Sequence, residues 1–214
     1  TMNSFIEHGI ENSKCSVIYN FNTLTLKEKD VNISNHENKL VHLLFVGTIG
    51  ERKGFFDLVK ALENIDRHKY ELHVCGEPTN DEARSEFEKC KDKLGKNLVF
   101  HGFVSGEERD LIYKNSDIMI LPSYGEGLPM VILEAFSAGC AVISTNVGAI
   151  PEIVRNENGV IIKPGDIDAL TEAIMFYIAT PENLLNVQHT NYLYSKKFTC
   201  EEFIKKMAEV CRKG

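Results

Sequence analysis

The sequence is marked first by what it lacks. No apolar run approaches the roughly 20 residues of a bilayer-spanning helix, so no transmembrane segment is expected. Thr1–Ile10 has neither the basic start nor the apolar stretch of a signal peptide. The six cysteines lie at least eleven residues apart, with no CxxC and no zinc spacing, and Cys75 and Cys140 sit inside apolar runs. That usage fits reduced, mostly buried thiols in a cytoplasmic protein. Asn32-Ile33-Ser34 is formally a glycosylation sequon, but nothing else in the sequence points to secretion. Positive charge is in deficit: 24 Lys and Arg face 31 Asp and Glu, a net charge of −7. Bulk attraction to nucleic acid is thereby excluded, while a local basic pocket stays open. The seven histidines show no HxxxH or other paired ligand spacing, so no catalytic metal is expected. Internal repeats, low-complexity segments and a second composition regime are all absent.

What is present is an ordinary globular composition. Of 214 residues, 43% are hydrophobic and 26% charged, which rules out wholesale disorder and a fibrous repeat. The length allows one large domain or two very small ones. Short apolar runs alternate with amphipathic segments. The strand candidates are Lys39–Val46, Tyr70–Cys75, Asn97–Phe100, Asp117–Leu121, Cys140–Ser144 and Gly159–Ile162. Helices are expected at Gly54–Asn64, Asn80–Leu94, Gly106–Asn115, Pro129–Ala138 and Ile167–Ala179. Leu43-Leu44-Phe45-Val46 is continuous rather than alternating, as a strand covered on both faces requires. The pattern predicts an α/β fold, a doubly wound, Rossmann-like parallel sheet with helices on both faces. Lys14–Asn20 reads as one further strand, Asn22–Asn38 as loop or linker, and Thr199–Lys213 as a closing helix.

In such a sheet, ligands bind at the carboxyl ends of the strands near the switch in strand order. Three strand ends carry unusual residues. After Val46 comes Gly47-Thr48-Ile49-Gly50-Glu51-Arg52-Lys53-Gly54. Glycines let backbone amides approach a ligand, the next helix offers its N-terminus, and Arg52 and Lys53 add two cations, so a phosphate is a natural guest. The spacing is neither GxGxxG nor GxxxxGK[ST], and a plain βα turn with solvated charges is the alternative. After Leu121 comes Pro122-Ser123-Tyr124-Gly125-Glu126-Gly127-Leu128-Pro129, which opens an apolar helix. Pro129 suits its first helical position and Gly139 its C-cap. Glu134 lies about 7–8 Å further along the helix than Pro129, an acid among Leu133, Ala135 and Phe136. A carboxylate there needs a partner, and paired sugar hydroxyls suit one well. The alternative is a surface acid on an amphipathic helix. The third end, Ser144 to Glu152, is a glycine-containing turn expected to pack beside the site.

Together these stretches resemble the nucleotide-sugar-binding half of glycosyltransferase family 4, whose members are retaining enzymes of the GT-B fold. The resemblance runs from about Val41 to Ile178. It is carried by EGLPMVILEAFSAGCAVISTNVGAIPEIV, by NGVIIKPGDIDALTEAI, by VGTIGERKG, by HVCGEP and by HGFVSGEERDLIYKNSDIMILPS. Glu126 and Glu134 match the family's Glu-x7-Glu signature. The resemblance implies that Glu126 contacts the donor sugar hydroxyls and Glu134 the ribose. Lys53 would neutralise the departing diphosphate, which makes Lys53 and Glu126 the catalytic candidates. Gly47, Thr48, Gly50, Arg52, Gly127, Leu128 and Pro129 complete the implied donor site. Two departures stand out: Thr48 occupies a position where the family often has Arg, with Arg52 the substitute cation, and VIYNF lacks the family's Asn-Gly pair.

Asp166-Ile167-Asp168 is formally a DxD metal signature, but it opens a helix, where acids serve as caps. With those acids as caps and no paired histidine ligands, no catalytic metal is expected, and no cofactor either, the UDP-, GDP- or ADP-sugar being the substrate. On this reading residues 1–38 are a lead-in strand and linker, 39–180 the Rossmann-like core and 181–214 closing helices. The acceptor-binding N-terminal half is expected to lie outside the chain, and any membrane association to run through it. The expected activity is metal-independent hexosyl transfer in polysaccharide or glycolipid synthesis, with this domain inactive alone. A non-catalytic donor-binding module and a sugar-nucleotide epimerase of the same fold are the alternatives.

Overall fold

Leu43, Leu44 and Phe45, all fully buried, form the centre of β1 (Val41–Val46). Each such side chain contributes about 1.5–3 kcal/mol over its exposed state, and their continuity places β1 inside the sheet rather than at its edge. The structure, a computed structural model, describes residues 7–11, 15–24, 26 and 40–213. Asn32-Ile33-Ser34, most of Asn22–Asn38 and part of Thr1–Ile10 lie outside the described residues.

After β1 a 3-10 turn at Glu51–Lys53 leads into α1 (Phe55–Leu62). There follow β2 (Tyr70–Cys75), α2 (Asp81–Leu94), β3 (Leu98–Gly102), α3 (Gly106–Lys114) and β4 (Ile118–Leu121). The chain continues through α4 (Met130–Ala138), β5 (Ala141–Thr145), the short α5 (Ile150–Ile153) and β6 (Gly159–Ile162). It ends in α6 (Ile167–Ala179), α7 (Pro181–Ser195) and α8 (Cys200–Lys213). The strands form one sheet in the order β3-β2-β1-β4-β5-β6, every pair parallel. This is the doubly wound α/β fold expected from the alternation. The order reverses between β1 and β4, the switch point at whose carboxyl ends ligands bind in sheets of this kind.

Local chemistry fixes most element ends. The Asn80 side chain accepts from Ala83 N at 2.7 Å and caps α2. Asp166 accepts from Ala169 N at 3.0 Å, the capping role expected of that acid. Gly139 closes α4 at φ 78°, a left-handed conformation that glycine adopts without a Cβ penalty. Pro129 precedes α4 as its N-cap, one residue earlier than expected, and its C=O accepts from Ile132 N. Asn97 belongs to the turn before β3, because its side-chain amide donates to Arg67 O and Tyr70 O, both at 2.6 Å.

Two expectations are corrected. Residues 15–20 of the proposed lead-in strand Lys14–Asn20 form no strand, and Lys14 lies outside the described residues. That segment packs on the C-terminal helices instead. Tyr19 meets Phe198 edge-on, the Phe21 ring tilts against Phe203, and Asn22 N donates to Phe198 O at 2.9 Å. The thiols also divide more evenly than expected: Cys75, Cys90 and Cys140 are buried, Cys15 is half-buried, and Cys200 and Cys211 are exposed. Burial pushes the Cys75 thiol up to about 12 and Cys90 to about 11. No helix among the described residues is long and apolar enough to cross a membrane.

Candidate functional site

The two loops flanking the strand-order switch meet through a half-buried ion pair. Lys53 Nζ lies 2.6 Å from Glu126 Oε1, with side-chain exposures of 15% and 7%. Ser123 Oγ donates to the same oxygen at 2.8 Å, so Glu126 is held from two sides. Arg52 reaches across from the first loop, its Nη1 donating to Gly125 O at 3.0 Å, and Tyr124 N donates to Arg52 O at 2.9 Å. Arg52, expected to substitute for the family's arginine, thus braces the second loop. Thr48 and Gly50 line a cavity of about 550 Å³ with Arg52, Lys53, Asn80 and Ala83, between the first loop and the start of α2. Glu126 and Glu134 do not line it.

The third strand end supports the second from below. Ser144 Oγ donates to Leu121 O at 2.7 Å and Thr145 Oγ1 to Ser123 O at 2.6 Å. Ala149 N donates to Gly127 O at 2.9 Å. Gly148, at φ +58°, brings its backbone so close that a Cβ would sit 2.1 Å from Glu126 O. Only glycine permits both the conformation and the approach. Gly127 is exposed, Leu128 half-buried and Pro129 buried, so the backbone just before α4 is presented to solvent at Gly127.

Glu134 is buried, at 5% exposure, and sits in a separate cluster. Its Oε1 accepts from Thr23 Oγ1 at 2.5 Å and Arg109 Nη1 at 3.2 Å, and its Oε2 from Tyr113 OH at 2.9 Å. Arg109 also donates through Nη2 to Asp110 Oδ1 at 3.0 Å. Burial, and then the Glu134 carboxylate, hold the Tyr113 phenol well above its ordinary range, so it stays a donor. The surface-acid alternative is excluded, and the partner that a buried carboxylate requires is found within the chain. Lys53 and Glu126 are brought together, whereas Glu134 shares no bonded partner with them among the described contacts. Arg109, Tyr113 and Thr23 were not singled out from the sequence. Arg109 and Tyr113 are four residues apart on α3, a spacing that puts both on one helix face. Thr23 carries no such signal.

Histidine spacing along the chain also hid a convergence. His42, Glu71 and His73 offer ligand atoms within 4.8 Å of one another. They come from neighbouring strands, where adjacency does not follow sequence distance.

The sheet order and the paired loops at its switch define a doubly wound, Rossmann-like α/β domain, and its likeness in fold is to GT-B-type neighbours. A GT-B-type neighbour from Anabaena, HepE in complex with UDP and glucose, superposes with a TM-score of 0.80 at 19% identity, over 99% of this chain and 60% of that one. The C-terminal domain of a group 1 glycosyl transferase, LpcC from Francisella tularensis, aligns at TM-score 0.69 and 23% identity, over 84% of this chain and 96% of that one. Residues 27–192 match the family model "Glycosyl transferases group 1", and the chain belongs to that family. Among curated relatives, a Klebsiella pneumoniae protein described as "Uncharacterized 41.2 kDa protein in cps region" is 26% identical over 92% of this chain and 52% of its own length. The uncharacterized glycosyltransferase MJ1607 of Methanocaldococcus jannaschii is 34% identical over 60% of this chain and 33% of its own. The chain thus spans between a third and about half the length of these curated relatives.

Proposed function

We propose that this chain is the donor-binding domain of a retaining, metal-independent glycosyltransferase of family 4. Its donor would be a nucleotide-diphospho-sugar, its transferred group a hexosyl unit, and its acceptor a polysaccharide or glycolipid bound by an N-terminal half. The observation that carries this reading is the Lys53–Glu126 pair at 2.6 Å across the strand-order switch. A cation and a carboxylate held side by side, next to exposed backbone at a helix N-terminus, suit a ligand with a charged diphosphate and a hydroxylated sugar. The diphosphate takes over the Lys53 ammonium, and Glu126, released from that pairing, accepts hydrogen bonds from sugar hydroxyls. As the glycosidic bond to phosphate breaks, negative charge grows on the leaving oxygens and Lys53 stabilises it. Glu134 accepts from the ribose hydroxyls once Thr23 withdraws. This work is electrostatic and needs no strong base.

The natural test is Lys53→Gln, which removes the cation yet leaves an amide to donate to Glu126. UDP-sugar affinity by calorimetry is expected to fall about ten- to hundredfold, the cost of a charge-assisted hydrogen bond. An affinity equal to the parent's overturns the phosphate role.

A further inference from the structure

Away from the strand-end loops, the β3 side of the sheet carries a second constellation. Side chains alternate across a strand, so Glu71 and His73 share one face of β2 while Tyr70, Leu72 and Val74 are buried on the other. His42 stands in register with Glu71 across the β1–β2 pair, and Val99 with His73 across β2–β3. His42, His73 and His101 therefore climb diagonally over three neighbouring strands. Their rings are 5.4 Å and 5.3 Å apart, centroid to centroid.

The donor atoms close a triangle. His42 Nδ1 lies 3.2 Å from His73 Nε2, Glu71 Oε1 lies 3.1 Å from the same nitrogen, and Glu71 Oε1 lies 3.6 Å from His42 Nδ1. A proton can satisfy one edge of such a triangle at a time, whereas a cation at its centre satisfies all three. Around zinc, with bonds of about 2.0–2.2 Å, tetrahedral donor atoms stand about 3.3–3.5 Å apart, and the three edges bracket that spacing. His73 Nδ1 lies 3.0 Å from His101 Nε2, so a proton on Nδ1 donated to His101 leaves the Nε2 lone pair facing the triangle. A ligating histidine is held by its other nitrogen in this way. Side-chain exposures of 37% for His42, 29% for Glu71 and 17% for His73 leave the centre reachable from solvent.

We infer that His42, Glu71 and His73 form a binding site for a divalent first-row transition metal, zinc foremost, with His101 as the residue that positions His73. Two imidazoles and a carboxylate are a donor set suited to zinc, and a fourth position remains for water. The site bridges β1 and β2. His42 lies four residues before the end of β1, about 13 Å of strand from the Lys53 loop, so it is distinct from the donor site. A metal that binds there ties adjacent strands together and stabilises the folded chain.

The test is calorimetric titration of the chelator-treated chain with zinc chloride, after its accessible thiols have been alkylated. One zinc per chain is expected, with a rise in melting temperature. His42→Gln and Glu71→Gln are expected to abolish that binding, and His101→Gln to weaken it about ten- to hundredfold. Should a variant fail to fold, the parent chain with Co(II) supplies a second readout. Paramagnetic broadening of the His42 and His73 ring resonances, but not of His68 or His189, supports the site. Absence of stoichiometric binding by the parent, unchanged affinity in a folded His42→Gln chain, or equal broadening of all histidines overturns it.

Discussion

At the scale of single residues, Glu134 holds the most tension. Its two oxygens receive hydrogen bonds from Thr23, Arg109 and Tyr113. The Thr23 bond is that of an alcohol to a carboxylate, the same chemistry a ribose hydroxyl would use. If ribose takes that place, Glu134→Gln removes the charge that makes the bond strong. Nucleotide-sugar affinity is then expected to drop about tenfold or more, while Thr23→Ala, which frees the oxygen, does not weaken it. Calorimetry on the two variants checks this, and an affinity of Glu134→Gln equal to the parent's removes the ribose role. The acid itself was legible in the sequence because it interrupts an apolar helix. Its partners were less so, for Thr23 stands in a segment read as linker and Arg109 on a helix with several other charges.

At the scale of elements, the turn after β5 holds the loop that carries Glu126. Gly148→Ala adds a Cβ 2.1 Å from Glu126 O at a residue with φ +58°. Backbone strain alone is expected to cost about 1–3 kcal/mol, and relief of the clash must push Glu126 and Gly127 outward. Denaturant melts should show the lost stability, and donor affinity should fall with it; a variant as stable as the parent contradicts the close approach. Elements whose apolar pattern matched their burial were readable from sequence: β1, β4 and α4 are buried where their apolar runs lie. Helix α7 was covered only by the general expectation of closing helices. Its buried stripe runs Leu184, Gln188, Asn191, Tyr192 and Ser195, so the inward face is largely polar and hydropathy does not mark it. Asn191 earns its burial by donating to Cys140 O at 2.8 Å and Asn158 O at 2.7 Å. The lead-in segment failed for the opposite reason. Its short apolar run Val17-Ile18-Tyr19 reads as a strand, but Tyr19 packs on the ring of Phe198 in the C-terminal region instead.

At the scale of the whole molecule, six parallel strands with one reversal of order put the loops after β1 and β4 side by side. Sequence could assign both loops to strand ends, and the resemblance could name their residues. That Lys53 and Glu126 actually meet is a property of the strand order, which local pattern does not encode; the diagonal of histidines across β1, β2 and β3 stayed invisible for the same reason. The central claim is that this surface binds a nucleotide-diphospho-sugar, and thermal denaturation of the chain with UDP-, GDP- and ADP-sugars tests it most directly. A donor at a hundredfold excess over its dissociation constant adds about 2.7 kcal/mol, which for a chain of this size raises the melting temperature by roughly 5–10 °C. The account predicts such a shift with at least one of the three nucleotide classes, and its reduction in Lys53→Gln. A cooperative melt that none of the donors moves would contradict it.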